Sequence, residues 1–453
     1  MSILSSLTRY QKEAVALLQI GTFLEYFDLM LYVHMATILN EIFFPKADAK
    51  TASLLTAFAF CSTYLLRPFG ALIFGYIGDH IGRKTTVIIT TMIMATACII
   101  MATLPTYNQI GITAAWLVTF CRIAQGLSSM GEIIGAEIYV TEITKPPVQY
   151  PAVGFITSAA RFGTVAALAV AWFVTSYGYD WRNAFWVGAA IAVVGSVART
   201  RLRETPDFVD LKRRINFLKE ENLAHTSKSE LLKIQRSLQQ KKVGWKTLVA
   251  YFGMSAGCPI CLYFTYMYCG DLLKTMGFTA EQVIHQNFYI SILEFLGMVL
   301  FSVLSYRIYP LKILKIKTLF LFVLMLPFPF LITYSLTPTT VFTIQAITGF
   351  LALNATIGDP IVFMYFPIFK RFTYISLIYA SSRALISLLT SFGLVYLTRF
   401  LGPWGLYIVM IPTTLAFLFG TLHFNRLEML KKKMEEQNKN SLTEKAPFTV
   451  QVV

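Results

Sequence analysis

Ionisable side chains recur at helical spacing within an apolar stretch near the start of the chain. Glu25, Asp28 and Tyr32 are spaced by 3 and 4 residues, so one face of a helix would carry all three. A charge inside a membrane-spanning helix costs about 2.5–3.5 kcal/mol on insertion scales, which makes each such residue a candidate for function. A carboxyl group in this position can bind and release a proton. Asp28 is therefore a predicted proton-binding residue, with Glu25 as its rival.

A second polar stripe lies in a later apolar segment. Arg122, Gln125, Ser129 and Glu132 are spaced by 3, 4 and 3 residues and again share one helical face. We hypothesise that Asp28 and Arg122 form a switchable ion pair: Asp28 gains a proton when the pair separates and loses it when the pair re-forms. The alternative is a permanent salt bridge that only pins two helices.

Further charges inside apolar segments have mixed signs. Arg161, Glu294, Asp359 and Arg383 suit a ligand that carries both charges, such as an amino acid or a betaine. Arg161 and Arg383 could equally clamp the carboxylate of an organic acid, because a guanidinium fork matches a carboxylate. Salt bridges between helices are the alternative without a ligand.

Aromatic rings offer a second way to bind a cation. Tyr32 and Tyr266 could present their faces to a quaternary ammonium, although most aromatic residues of such chains simply pack. The predicted substrate-binding residues are Tyr32, Gln125, Arg161, Tyr266, Glu294 and Arg383. Glu137 is interpreted, with Glu132, as either a structural residue or part of a gate.

The composition shows which elements must position these residues. Of 453 residues, 56% are hydrophobic and 14% are charged, against roughly a quarter charged in soluble domains. This excludes a conventional soluble enzyme and a disordered chain. A membrane-spanning helix needs about 20 mostly apolar residues. Twelve segments meet this description: 15–40, 53–77, 87–106, 112–138, 151–176, 183–200, 247–269, 283–304, 313–335, 339–366, 374–398 and 403–424.

The net charge of +15 is explained by orientation rather than by nucleic acid. With both termini assigned to the cytoplasm, 30 Lys and Arg residues lie in cytoplasmic loops and termini, and 5 lie in the opposite loops. This asymmetry follows the positive-inside rule. We therefore expect a first six-helix bundle over 1–200, a cytoplasmic loop over 201–246, a second six-helix bundle over 247–425, and a cytoplasmic tail over 426–453.

A glycine-rich loop joins the second and third segments. Gly75, Asp79, Gly82, Arg83 and Lys84 form the pattern G-x-x-x-D-x-x-G-R-K. Glycines let helices approach and turn sharply, and a carboxylate there can meet a helix N-terminus or an arginine. We predict a conformational latch made by this loop with Glu132 and Glu142. A solvated basic turn is the alternative.

This loop resembles the signature of the major facilitator superfamily, and other motifs resemble its metabolite:H+ symporter family. The stretches that carry the narrower resemblance are Gly21–Tyr32, Leu66–Gly70, Arg122–Gly126, Gly131–Glu132, Glu142 and Glu204–Phe208. The resemblance implies an all-α integral membrane fold of twelve transmembrane helices in two pseudo-symmetric six-helix halves. It also implies alternating access and a proton-coupling pair between an aspartate of the first span and an arginine of the fourth.

One departure concerns the second half. The matching loop has Tyr306 in place of the aspartate and Tyr309 in place of a glycine. The second latch is therefore degenerate, which argues against a symmetric gating scheme.

These observations predict a proton-coupled symporter that imports a small polar metabolite, with proline or betaine favoured and an organic acid such as citrate or 2-oxoglutarate as the alternative. A nutrient sensor on a carrier fold is the alternative of another class. We expect no enzymatic activity and no cofactor, only a proton gradient as the energy source. The expected partners are a small solute, H+ and the lipid bilayer, for a monomer in a bacterial inner membrane with no nucleic acid.

Overall fold

A computed structural model describes residues 6–44, 64–206, 208–210, 212–213 and 243–444. Over these residues the chain is built from twelve principal helices, which we label in chain order. They are α1 Arg9–Phe43, α2 Arg67–His80, α3 Arg83–Thr103, α4 Ile112–Ile143, α5 Gln149–Tyr177, α6 Arg182–Arg199, α7 Trp245–Thr275, α8 Ala280–Leu304, α9 Pro310–Tyr334, α10 Pro338–Phe350 with Asp359–Phe363, α11 Arg371–Leu388 with Leu389–Leu394 and Val395–Leu401, and α12 Gly405–Glu444. Residues 214–242 of the expected central loop and 53–63 of the second predicted span lie outside the described residues.

Seven of the described helices are long and apolar enough to cross a membrane by length and composition alone: α1, α3, α5, α7, α8, α9 and α12. The other five include helices that carry charged residues within their apolar segments. For example, α4 carries Arg122, Glu132 and Glu137, and α11 carries Arg371 and Arg383. These charges are buried, so the faces of α4 and α11 that carry them pack against other helices rather than lipid.

The tenth predicted span, 339–366, is an interrupted helix. It is helical over Pro338–Phe350 and again over Asp359–Phe363, with residues 351–358 between them. Pro360 lacks a backbone N–H and its ring restricts the preceding residue, so a continuous helix is disfavoured here. The interruption places Asp359 at the start of a new helical turn in the interior.

The last helix is longer than expected. The span predicted over 403–424 continues into the expected tail as one helix, α12, over Gly405–Glu444, and the tail residues 445–453 lie outside the described residues. Glu428 of this extension accepts hydrogen bonds from the hydroxyls of Tyr309 (3.2 Å) and Tyr365 (2.8 Å). These contacts hold the extension against the ends of α8 and α10.

The helices pack as two groups of six. In the first, α1 packs on α4, α5 and α6, and α3 packs on α4 and α6; in the second, α7 and α9 pack on α12, and α8 packs on α10. Two extensive contacts join the groups, α2 with α11 and α5 with α8. These four helices therefore make the largest contacts between the halves.

The outer surface of the bundle is strongly apolar. Phe69, Trp116, Phe120, Phe320 and Tyr334 are each at least 60% exposed. A soluble protein rarely exposes so many large apolar side chains, whereas lipid tails solvate them. The charges that the sequence places within the spans point the other way, into the protein.

Candidate functional site

Asp28 of α1 and Arg122 of α4 form a buried ion pair. Nη1 of Arg122 lies 3.0 Å from Oδ2 of Asp28 and also donates to Oε1 of Gln125 at 2.9 Å. The guanidinium stacks on the ring of Tyr32, 4.1 Å from its centroid. The two sequence stripes therefore meet where α1 and α4 pack, and three predicted residues surround one arginine.

The position of this pair limits how it can open. Its side chains are only 4% and 6% exposed, and the Sγ of Cys98 lies 3.7 Å from Oδ1 of Asp28. Both helices belong to the first half, so rigid rocking of one half against the other leaves the pair intact. Separation requires movement within the first half.

Glu25, the rival proton site, has its own arginine. Its Oε1 accepts from Nη2 of Arg67 at 3.0 Å, and the Arg67 guanidinium lies 4.5 Å from the ring centroid of Tyr64. Both side chains are at most 2% exposed. The sequence placed Arg67 inside a span but gave no reason to join it to Glu25.

Arg161 and Glu294 bridge the two halves. Nη1 of Arg161 in α5 lies 3.0 Å from Oε2 of Glu294 in α8, and Nη2 donates to the Sγ of Cys258 at 3.4 Å. The pair thus satisfies the charges of two predicted substrate-binding residues. Tyr266 lies beside the ring of His34, at a centroid distance of 5.8 Å.

Arg383 lines a small internal cavity between the halves. The cavity measures about 20 Å³, so it has room for roughly one water molecule. The Arg383 guanidinium stacks on Tyr379, 4.2 Å from the ring centroid, and Nη1 lies 3.4 Å from the hydroxyl of Tyr26. Of the predicted substrate-binding residues, Arg383 alone lies among the residues lining this cavity.

Two acids that are not among the predicted substrate-binding residues, Glu137 and Asp359, line the same cavity. Glu137 comes from α4, and Asp359 comes from the second part of α10. The sequence does mark both acids as candidates for function, because each is an ionisable residue inside an apolar segment. The missing information was that α4, α10 and α11 meet at one point.

The glycine-rich loop closes one end of the interface between the halves. Asp79 accepts hydrogen bonds from the backbone N–H groups of Phe372 (3.1 Å) and Thr373 (2.9 Å), and from the hydroxyl of Thr373 (2.8 Å). These N–H groups belong to the first turn of α11, where a carboxylate is favoured. A Cβ on Gly78 would lie 2.5 Å from the ring of Phe372, so glycine is needed for this approach.

Arg83 and Glu142 extend this contact. Nε of Arg83 lies 3.4 Å from Oε2 of Glu142, and Nη2 of Arg83 donates to the carbonyl of Ile368 at 3.0 Å. Arg371, at the start of α11, donates to Oε1 of Glu142 at 3.1 Å. Nη1 of Arg83 also lies 3.4 Å from Oδ1 of Asp79. Asp79, Arg83, Glu142 and Arg371 thus form one buried cluster of charges from both halves.

Glu204 holds the loop in place from the first half. Its Oε1 accepts from the backbone N–H of Arg83 at 3.0 Å, and the N–H of Lys84 also points at this carboxylate, at 3.3 Å from Oε2. Gly82 adopts φ +151°, a conformation that favours glycine, and a Cβ there would lie 2.1 Å from Oε2 of Glu204. Lys84 thus contributes its backbone to this arrangement.

Glu132 lies elsewhere. It forms an ion pair with Arg199 at the end of α6 and accepts from the hydroxyls of Thr90 (2.9 Å) and Thr91 (2.5 Å) of α3. Within the part of the chain that the structure describes, these partners all lie outside the loop of Gly75 to Lys84. Glu132 therefore ties α3, α4 and α6 together, and Glu142 is the acid that meets the loop.

The degenerate second loop makes a different contact. The ring of Tyr309 lies edge-on to Tyr150 at the start of α5, with centroids 6.4 Å apart, and its hydroxyl donates to Glu428. Tyr309, which stands in place of a glycine, thus packs an aromatic side chain against the start of α5. The two loops therefore make chemically different contacts.

Comparison with known proteins gives a family. A family model described as the Major Facilitator Superfamily matches residues 18–350. The proline/betaine transporter of Escherichia coli (strain K12) is 28% identical over 274 residues, which cover 58% of this chain and 53% of that protein. The citrate-proton symporter of Salmonella typhi is 35% identical over 206 residues, covering 43% of this chain and 46% of that protein. The chain thus spans about half the length of the curated relatives it matches.

Solved structures show the same fold. The proton:xylose symporter XylE bound to 6-bromo-6-deoxy-D-glucose superposes with a TM-score of 0.73 at 14% identity, covering 90% of this chain and 95% of that one. The human organic anion transporter MFSD10 superposes with a TM-score of 0.64, covering 92% of this chain. Fold, family match and loop chemistry agree, and the chain belongs to the major facilitator superfamily.

Proposed function

We propose that the protein is a proton-coupled symporter that moves a small polar metabolite across a bacterial inner membrane by alternating access. The observation that carries the proposal is the closed cavity between the halves, where Arg383, Glu137 and Asp359 present both charges to one enclosed space. A polar solute that enters this space loses the water bound to it, and charged side chains can replace those hydrogen bonds. Relatives named as proline/betaine transporters support a zwitterion such as betaine or proline as the substrate.

In this scheme the substrate carboxylate binds Arg383, and its cationic group lies near Glu137 and Asp359. Tyr26 and Tyr379, which already contact Arg383, would complete the walls around the ligand. The cavity must widen to admit the solute, since its present volume holds about one water. Tyr32, Gln125, Tyr266 and the pair of Arg161 with Glu294 would contribute when the neighbouring helices move.

Asp28 is the proposed proton-binding residue, with Arg122 as its partner. When the pair is closed, Arg122 favours the ionised carboxylate; when it opens, burial favours the protonated form. Because both residues lie in the first half, the opening is a movement of α1 against α4. Glu25, held by Arg67, is the second candidate.

The loop from Gly75 to Lys84 is the proposed latch. Its contacts with α11 close one end of the interface, and the charge asymmetry of the loops assigns that end to the cytoplasm. The conformation described here is therefore closed to the cytoplasm. Breaking the Asp79 cap and the cluster of Arg83, Glu142 and Arg371 would open it.

Uptake into proteoliposomes tests the function. The purified protein is reconstituted and given a one-unit pH gradient, acidic outside, with labelled glycine betaine, L-proline, citrate or 2-oxoglutarate. One proton per zwitterion permits accumulation up to about tenfold. Accumulation of citrate alone would favour the organic-acid alternative, which the citrate-proton symporter relative supports. Binding of a solute without any accumulation would contradict transport and favour a sensor.

A further inference from the structure

Most buried charges of the described helices are matched one to one. The four matched pairs are Glu25 with Arg67, Asp28 with Arg122, Glu132 with Arg199, and Glu294 with Arg161. The buried cluster at the glycine-rich loop also contains two acids, Asp79 and Glu142, and two arginines, Arg83 and Arg371. Such matching is expected, because an unpaired charge in an apolar interior is strongly disfavoured.

The cavity between the halves departs from this pattern. It is lined by two carboxylates, Glu137 and Asp359, and by a single guanidinium, Arg383. Oε2 of Glu137 and Oδ1 of Asp359 are buried without a hydrogen-bond partner among the residues described. The residues themselves are only 3% and 5% exposed. With all three groups ionised, the closed cavity would carry one uncompensated negative charge.

Other buried groups of the described residues do not supply the missing positive charge. Among these residues, the second oxygen of Glu137 accepts a hydrogen bond only from the hydroxyl of Thr157, at 3.3 Å. Lys317 of α9 is also buried without a carboxylate partner in the described ranges, but it lies over the ring of Phe301 and does not line the cavity. The compensation must therefore come from something bound in the cavity.

The titratable groups that face the two acids come from three of the surrounding helices, α1, α7 and α11. Tyr26 comes from α1, Tyr251 and Cys258 from α7, and Tyr379 and Arg383 from α11. The next carboxylate, Glu25, is already neutralised by Arg67. Arg383 is thus the one cation facing Glu137 and Asp359 among the described residues. Its single charge balances only one of them.

We propose that Glu137 and Asp359 share one proton when the cavity is closed, and that this carboxyl pair is a second station for the coupled proton. Two carboxylates confined to one site favour holding a proton between them. The proton binds a carboxylate oxygen as the halves close, and it returns to water when they open. The inference rests on the proposed function, because it assigns a residue pair to that proton.

The topology makes this pair sensitive to transport in a way that Asp28 and Arg122 are not. Glu137 lies in the first half, and Asp359 lies in the second. Rocking of the halves therefore separates the two acids and hydrates them, whereas Asp28 and Arg122 move together. The pair thus links proton binding directly to opening and closing of the cavity.

The charge count also fixes how many protons accompany each class of substrate. A zwitterion adds no net charge, so one proton is needed to neutralise the closed cavity. A monoanion would need two, and a monocation none. Glycine betaine is a suitable probe, because its quaternary nitrogen cannot carry the proton itself.

The test measures coupling in proteoliposomes that contain the full chain. Valinomycin and potassium hold the membrane potential at zero, and the glycine betaine gradient that stops net flux is found under a one-unit pH gradient. Wild type should balance at about a tenfold gradient. Glu137→Gln should balance at equal concentrations while betaine exchange continues. Glu435→Gln, an exposed glutamate in the extension of α12, is the matched control and should balance as wild type does.

Two further variants keep the test decisive. Asp359→Asn removes the other acid and should abolish coupling in the same way, so it carries the test if Glu137→Gln does not fold. Glu137→Asp retains a carboxyl group and should restore coupling, which a purely structural role would not predict. If Glu137→Gln or Asp359→Asn exchanges betaine and still balances at the wild-type gradient, the shared proton is refuted. If wild type itself does not couple, the proposed function fails instead.

Discussion

At the scale of residues, the buried polar groups are of two kinds. Some charged side chains form ion pairs with each other, and others keep atoms that make no hydrogen bond among the described residues. Asp28 and Arg122 are fully engaged with each other, with Gln125 and with Tyr32. Glu137, Asp359 and Arg383 surround a cavity with donor and acceptor atoms unused among the described residues. A buried pair resists change, whereas unused buried groups favour binding.

Replacing Asp28 by Asn should abolish proton-driven accumulation while solute exchange is retained, because the variant can no longer gain or lose the proton. It also removes the carboxylate partner of Arg122, and breaking a buried ion pair in this way costs about 3–5 kcal/mol of stability. The double variant Asp28→Asn with Arg122→Gln removes both charges and should regain most of that stability in thermal unfolding. Asp271→Asn, an exposed aspartate of α7, is the control. Normal accumulation by Asp28→Asn would place the coupled proton elsewhere.

Arg383 should set the affinity for the substrate carboxylate. Arg383→Lys keeps the charge but loses the planar fork and the stacking on Tyr379, so KM for a zwitterion should rise at least about tenfold. Initial uptake rates over a range of solute concentrations measure this. An unchanged KM would remove Arg383 from the binding site.

At the scale of elements, close helix packing decides whether the latch can form. α2 approaches α11 because Gly75 and Gly78 face Thr373 and Phe372, and this approach brings Asp79 to the first turn of α11. The cap therefore depends on small residues one and four positions before the carboxylate. The hydrogen bonds from α11 to Asp79 can therefore form only if α2 and α11 pack this closely.

Gly78→Ala should weaken closure of this end. The added methyl would lie 2.5 Å from the Phe372 ring, so ring and helix must separate by about 1 Å to reach normal contact. Spin labels at the exposed positions Ile81 and Lys370 should show a shift towards longer distances. Gly244→Ala, where a Cβ meets nothing within 4 Å, is the matched control. An unchanged distance distribution would show that this packing does not hold the latch.

At the scale of the whole molecule, the loop from Gly75 to Lys84 joins the halves at one end, and the charge asymmetry of the loops predicts that this end faces the cytoplasm. Lys145 follows α4 near the latch, and Asp180 follows α5, a helix of 29 residues that spans about 43 Å. These two exposed positions therefore lie at opposite ends of the bundle.

Cysteine labelling in cells tests this orientation. The five cysteines in the described residues are buried, so the background from them should be low. A membrane-impermeant thiol reagent should label a cysteine at Asp180 in intact cells, and one at Lys145 only after permeabilisation. The reverse pattern would place the termini outside.

The sequence by itself determined the membrane character, the polar faces of α1 and α4 and the chemistry of the glycine-rich loop. These properties depend on composition and on the 3.6-residue period of a single helix, which fixes what shares a face. Only the tertiary structure decided which charges meet. Glu132 was expected at the latch but pairs with Arg199. Arg161 pairs with Glu294. Glu137 and Asp359 line one cavity together with Arg383. Partners on different helices depend on how those helices cross and on where α10 breaks, and neither is encoded in the periodicity of one segment.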